Sequence, residues 1–336
     1  MAGAIGSNTK MGKRIATTLD ASDPPKRRTY KITCVSKTLS PLSHMSGTAG
    51  NEQVIMREPI CYSGGLRYVP AITGNAIRHR AIRAPLAQHI VETWDLDGQL
   101  TIAQLQFLFH GGTLFRKGGR ISLAEQDALY RLMPAIQMLG CSLPGQIVPG
   151  NLYVHRGTLV CRENRERLAR LLPPELASGL PEDLRPATDF IGSYQYTRNV
   201  HDMSVPTVQA KDAEDQDARA DMMIFGGQTV ITGAMFAHGF QLVNATTIEV
   251  GAIWYALNQW QANGGTIGGM ASKGHGRLET SLAIDPPVDW LDQAADEYQA
   301  HILAVASDGR AFLDAAFAEP IKRKGKKGEG QDDEAA

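Results

Sequence analysis

Apolar and polar residues alternate along residues 29–42, TYKITCVSKTLSPL, the period-two pattern of a half-buried strand. The period lengthens in residues 68–94, YVPAITGNAIRHRAIRAPLAQHIVETW, where a proline-marked turn leads into a helix. Thr73 stands at the N-cap, Ile77, Ala81 and Ile82 share an apolar side, and Pro85 is expected to end or kink the helix. Residues 100–140 read as helical, with Ser122 three residues before Glu125 in a capping-box arrangement. Strand material follows in residues 146–160, QIVPGNLYVHRGTLV, then a short amphipathic helix and a proline-rich loop over 164–186. Two further strand-like runs, FIGSYQYTRNV and MMIFGGQTVITGAMFAHGFQLV, flank a polar insertion from His201 to Asp221. Such a long polar excursion inside a compact domain points to function or disorder. Ile253, Leu257 and Trp260 then recur at helical spacing as core residues, and residues 276–284, GRLETSLAI, form a last strand. The order of strand, helix, further elements, strand, helix, glycine-rich loop and strand fits a ferredoxin-like α+β core with insertions.

Composition narrows the setting. The chain has 336 residues, 43% hydrophobic, enough for one large domain or two unequal ones. Its apolar runs are too short to span a bilayer and its first residues lack an apolar signal core, so a cytoplasmic location is expected. Four cysteines lie far apart without a C-x-x-C pair, and the nine histidines show no zinc spacing; reduced thiols and no metal or cofactor are expected. The formal net charge of −1 argues against coating nucleic acid through overall charge. Its distribution is uneven: Arg57, Arg67, Arg78, Arg80 and Arg83 face one acid, Glu58, in residues 57–83, while Asp285, Asp289, Asp292, Asp296 and Glu297 gather near the C-terminal end. Residues 1–28 are polar and end in SDPPKRR, and the stretch after Ile321 is a basic run followed by an acidic one without an anchoring apolar residue; 1–28 reads as a flexible extension and 321–336 as a disordered tail.

The chemistry concentrates in residues 264–279, GGTIGGMASKGHGRLE. Six glycines let a backbone approach phosphates, and Lys273, His275 and Arg277 supply charge. A phosphate-binding P-loop needs Lys and Ser or Thr where His275 and Gly276 stand, and a dinucleotide fingerprint needs a third glycine beyond Arg277. Both fail. Alone, the loop reads equally as a phosphate cradle or as a turn before the last strand. The helix start at Thr73 to Ile77 adds backbone N–H groups and a positive dipole end, with Arg78 and Arg80 just beyond.

Four segments together resemble the backbone subunit family of class 1 CRISPR effector complexes (CRISPR-associated protein seven), within the repeat-associated mysterious protein superfamily, and the proportions suggest its type IV branch. They are LSPLSHMSG, YVPAITGNAIRHRAIRA, YQYTRNV through GGQTVITGAMFAHGFQLV, and GGTIGGMASKGHGRLE, spanning most of residues 29–285. The last is the most specific: Gly268, Gly269, Ser272, Lys273, Gly274, Gly276 and Arg277 fit the family's G-G-x-x-S-[KR]-G-x-G-R. The helix start departs, with Thr73, Gly74, Asn75, Ala76, Ile77, Arg78 and His79 where the family usually has Pro-Gly-Ser-Ser-Leu-[Arg or Lys]-Gly. The resemblance implies one domain over residues 29–320 with an RRM-like palm, a helical insertion at about 86–180 and a thumb-like hairpin or loop at about 195–230. It implies a non-enzymatic subunit that assembles helically with copies of itself along CRISPR RNA, alongside other effector subunits and a guide-paired target. Sequence-independent contacts would come from His44, Ser46, Asn75, Arg78, Arg80, Arg83, Arg198, Ser272, Lys273, Gly274, His275 and Arg277, and a base wedge from Met203, Val205, Pro206 and Val208.

Two rivals follow. In type III relatives an acid after the first strand cleaves target RNA, and Glu52 in NEQVIMREP is the counterpart here, without an evident carboxylate partner or metal. A small-molecule enzyme using the glycine-rich loop for a nucleotide lacks a nameable nucleophile and base.

Overall fold

The computed structural model describes residues 27–49, 52–112, 121–143, 146–197 and 224–317. The N-terminal extension, the charged tail, Arg198 and the wedge residues Met203, Val205, Pro206 and Val208 lie outside them.

A six-stranded sheet is built on β1 (Arg28–Thr38), which pairs antiparallel with β11 (Met235–Ala245) on one side and β12 (Leu278–Asp285) on the other. β11 pairs in turn with β8 (Leu152–Leu159), and a hairpin of β4 (Arg57–Tyr62) and β5 (Gly65–Ile72) extends the sheet beyond it. The order is β12-β1-β11-β8-β5-β4, and β6 (Cys141–Leu143) and β7 (Gln146–Val148) form a separate two-stranded sheet. Four neighbouring strands, β12, β1, β11 and β8, with one long helix between β1 and β8 and another between β11 and β12, form the split βαβ repeat of a ferredoxin-like α+β core. A second sheet, ordered β2-β3-β10-β9, joins β2 (Met45–Ala49) and β3 (Glu52–Ile55) to the hairpin arms β9 (Ile191–Thr197) and β10 (Ile224–Val230). The strands after β1 were not apparent in the sequence.

Tyr30, Ile32 and Cys34 alternate from β1 into the main core, where they meet Phe236 and Phe240 of β11. Helices close over them. One run is continuous from Gly74 to Thr93: α1 (Gly74–Ile77), a π-helical turn (Arg78–Arg83) and α2 (Ala84–Thr93). Beside it α8 (Thr247–Ala262) buries Ile253, Leu257 and Trp260 as the spacing predicts. The others are α3 (Ile102–His110), α4 (Leu123–Leu132) with its Ser122–Glu125 capping box, α5 (Pro134–Leu139), α6 (Arg165–Leu171), α7 (Pro174–Ala177), α9 (Leu291–Ala304) and α10 (Ala306–Ala316). Of these, α6 and α7 lie on the opposite face of the sheet, where Leu168, Leu172 and Leu176 pack with Val35, Val160 and Ala237. No helix among the described residues is long and apolar enough to cross a membrane.

Pro85 does not end the helix, which runs on to Thr93, because it follows closely on the widened π-turn. There the ladder has already shifted to five-residue bonds, Ala84 N–H donating to His79 O, so the register the proline ring would obstruct is not in use. The same turn keeps Ile77, Ile82, Leu86 and Ile90 buried although the first step between them is five residues. It also brings Arg78 and Arg83 to neighbouring positions.

One histidine couples this core to pH. His238 of β11 is 5% exposed, bonds Ser36 Oγ through Nε2 at 2.7 Å, and has no partner for a buried Nδ1. Burial, with a smaller push from His155, holds its pKa down at about 4. With the folded value below the unfolded one, the unfolded state binds more protons between them, so stability is full above about pH 6.5 and falls as pH drops toward 4. His238 alone accounts for a loss of about 2 kcal/mol between about pH 7 and pH 5. Urea unfolding at those two pH values measures it, and equal free energies contradict a neutral His238.

Candidate nucleic-acid interface

The segment after β1 turns back against the glycine-rich loop and is joined to it by backbone bonds. Leu39 N–H donates to Arg277 O at 2.8 Å, Gly276 N–H to Pro41 O at 2.8 Å and Gly269 N–H to Ser43 O at 2.8 Å. Arg277 N–H reaches Ser40 Oγ at 3.0 Å, and the buried Ser43 hydroxyl bonds His275 Nδ1 at 2.7 Å. The glycines make room for this contact. A Cβ on Gly276, at φ +81°, would stand 2.1 Å from Ile267 O, and one on Gly268, at φ +84°, 2.5 Å from Ser43 O. Gly274, at φ +83°, faces open space. Most of the bareness seen in the sequence thus serves loop packing, and Gly274 is where it is presented outward.

The same segment reaches the helix start. His44 Nε2 accepts Thr73 N–H at 3.1 Å, and Thr73 Oγ1 accepts Ala76 N–H at 3.3 Å, so two donors expected to meet a phosphate are spent inside the protein. Burial lowers the His44 pKa, which keeps the ring in the neutral form that can accept. Ser43 and His44, adjacent in sequence, therefore join the glycine-rich loop to the start of α1.

Cations are left over on both motifs. The ion pairs among the described residues are Arg156 and Arg167 with the buried Glu58, at 3.2 and 2.6 Å, and Arg27 with Glu249 at 3.6 Å. No described carboxylate pairs with Arg78, Arg80, Lys273 or Arg277. Lys273, Arg277 and Arg80 are exposed, as are Ser272, Ser46 and Asn75. Arg78 is half-buried, donates to Leu139 O, and lines a cleft with Asn75, Gly150 and Tyr153. Arg83, expected at the surface, is instead 7% exposed, packed on Gly111, its pKa lowered to about 10 chiefly by burial. It is out of reach of a ligand at the surface.

Lys273 Nζ lies 3.1 Å from the centroid of the Tyr196 ring, and Tyr194 meets His275 edge-on at 5.4 Å. The His275 pKa is lowered by burial first and by Lys273 second. Neither Tyr194 nor Tyr196 was singled out from the sequence, nor were Ser43 and Gln53. The alternation Y-Q-Y beside a polar insertion was the available signal for the tyrosines; Ser43 had none. Glu52 is exposed on β3 next to Gln53, and strand alternation turns it to the face opposite the one where Gln53 meets Tyr194. No group of three or more His, Cys, Asp or Glu side chains placed for a metal occurs among the described residues.

Among solved structures, a chain described as "Type IV-B CRISPR Complex" is similar over 77% of this chain and 92% of that one, with a TM-score of 0.49 and 18% identity. No family model and no curated protein matches the chain.

Alanine at two glycines tests the packing described above. Gly274→Ala, strained but unobstructed, is expected to cost about 1–2 kcal/mol. Gly276→Ala meets Ile267 O as well and is expected to cost roughly 1–3 kcal/mol more by overpacking. Urea unfolding compares them, and equal losses contradict a loop clamped on its neighbours.

Proposed function

We propose that the chain is a backbone subunit of a type IV, class 1 CRISPR effector complex. It coats guide RNA through sugar–phosphate contacts, without reading its sequence and without cleaving it, and associates head to tail with copies of itself and with other effector subunits. The reading is supported above all by one juxtaposition: the loop that matches G-G-x-x-S-[KR]-G-x-G-R is bonded through Ser43 and His44 to the start of the helix carrying Arg78 and Arg80. Cations without carboxylate partners among the described residues, on one scaffold, suit a phosphate chain, and phosphate contacts position a strand without specifying it. The ferredoxin-like sheet and the hairpin arms β9 and β10 beside this site agree with a palm carrying a thumb. Head-to-tail contacts carry a screw component that leaves such an array open.

Lys273 and Arg277 give the direct test. Changing both to Ala is expected to weaken binding to two single-stranded RNAs of unrelated sequence by the same factor, and to reduce the slope of log affinity against log salt by roughly 1.4. Fluorescence polarisation across a salt series measures this, with thermal melting to establish that the variant is folded. Unchanged affinity, or a loss confined to one sequence, rejects the reading.

A further inference from the structure

Among the described residues, two large aromatic side chains at this site belong to neither hydrophobic cluster. Tyr194 and Tyr196 stand two residues apart on β9, so strand alternation puts both on one face. Their rings are parallel within 7°, with centroids 6.0 Å apart, and both side chains are half-buried. Across the ladder from Tyr194 is Gly227, where a Cβ would stand 2.9 Å from the Tyr194 hydroxyl. Its absence lets Tyr194 lie across β10 and donate to Gln53 Oε1 on β3, which fixes the ring. Tyr196 carries the Lys273 ammonium on its face, and Lys273 has no carboxylate partner among the described residues.

We infer that Tyr194 and Tyr196 form a stacking platform for the bases of single-stranded RNA, opened when Lys273 leaves the Tyr196 ring for a phosphate. This rests on the RNA-coating reading and adds to it a contact with the bases. The exchange is favourable in magnitude. An exposed cation on an aromatic face is worth a factor of roughly two to five in an equilibrium, whereas a base stacked on an aromatic ring is worth roughly five to 150, and the released ammonium gains a phosphate. Every base offers a flat face, so the platform tolerates any sequence, as a coating subunit requires. In the free protein Lys273 lies over the Tyr196 ring.

Two probes of equal length and charge separate this platform from the phosphate site: a single-stranded RNA oligonucleotide and an abasic ribose–phosphate oligonucleotide. Tyr196→Leu is expected to lose at least about fivefold in affinity for the RNA and nothing for the abasic strand. Tyr196→Phe, which keeps the ring, is expected to hold affinity for both. An equal loss on the two strands, or no loss on either, overturns the platform while leaving the coating reading intact. Failure of the unaltered chain to bind either strand overturns both. Should Tyr196→Leu not fold, RNA substituted with 5-bromouridine is irradiated on the unaltered chain. The adduct is expected on the peptide containing Tyr194 and Tyr196, and adducts confined to other peptides overturn the inference.

Discussion

Everything at the candidate interface depends on the backbone bonds that clamp residues 39–43 to residues 269–277. Loops of this glycine content are conformationally expensive to order, since each glycine gives up more backbone freedom than any other residue. Here the cost is offset by bonds to Leu39, Pro41 and Ser43 and by the seating of His275 on the Ser43 hydroxyl. Without that clamp Lys273 and Arg277 would sit on a loose turn. With it they hold a fixed position relative to His44, hence to Thr73 and the helix behind it.

The π-turn solves a second problem at the same place. A regular helix cannot keep Ile77, Ile82, Leu86 and Ile90 all inward, because the first interval is one residue too long; the five-residue step absorbs it. The extra residue also sets Arg78 beside Arg83, and the two respond differently. Arg83 sinks into the packing against Gly111, while Arg78 stays at a cleft with Asn75. Wide helical turns often mark functional sites, and this one joins core packing to the placement of charge.

Much of the core was legible in the sequence, because its signals are periodic. The alternation of β1, the caps at Thr73 and Ser122 and the spacing of Ile253, Leu257 and Trp260 all sit where local chemistry puts them. The misses have physical causes. Pro85 reads as a helix breaker until the preceding turn widens. Helix α9 packs on α8 through Ala294 and Ala295, where Gly251 allows approach, and such small contacts are masked by the acids around them. At the interface the sequence showed the glycines but not their division of labour, since whether a bare backbone faces a ligand or a neighbouring carbonyl depends on chain segments more than 200 residues apart.

The central claim is that the glycine-rich loop and the start of the long helix act as one RNA-binding surface. Hydrogen–deuterium exchange of the intact chain, with and without single-stranded RNA, tests it most directly. Amides in residues 73–83 and in residues 268–277 are expected to slow together on RNA addition and to recover together as salt is raised. Protection of one segment without the other, under conditions where RNA is bound, contradicts a single surface.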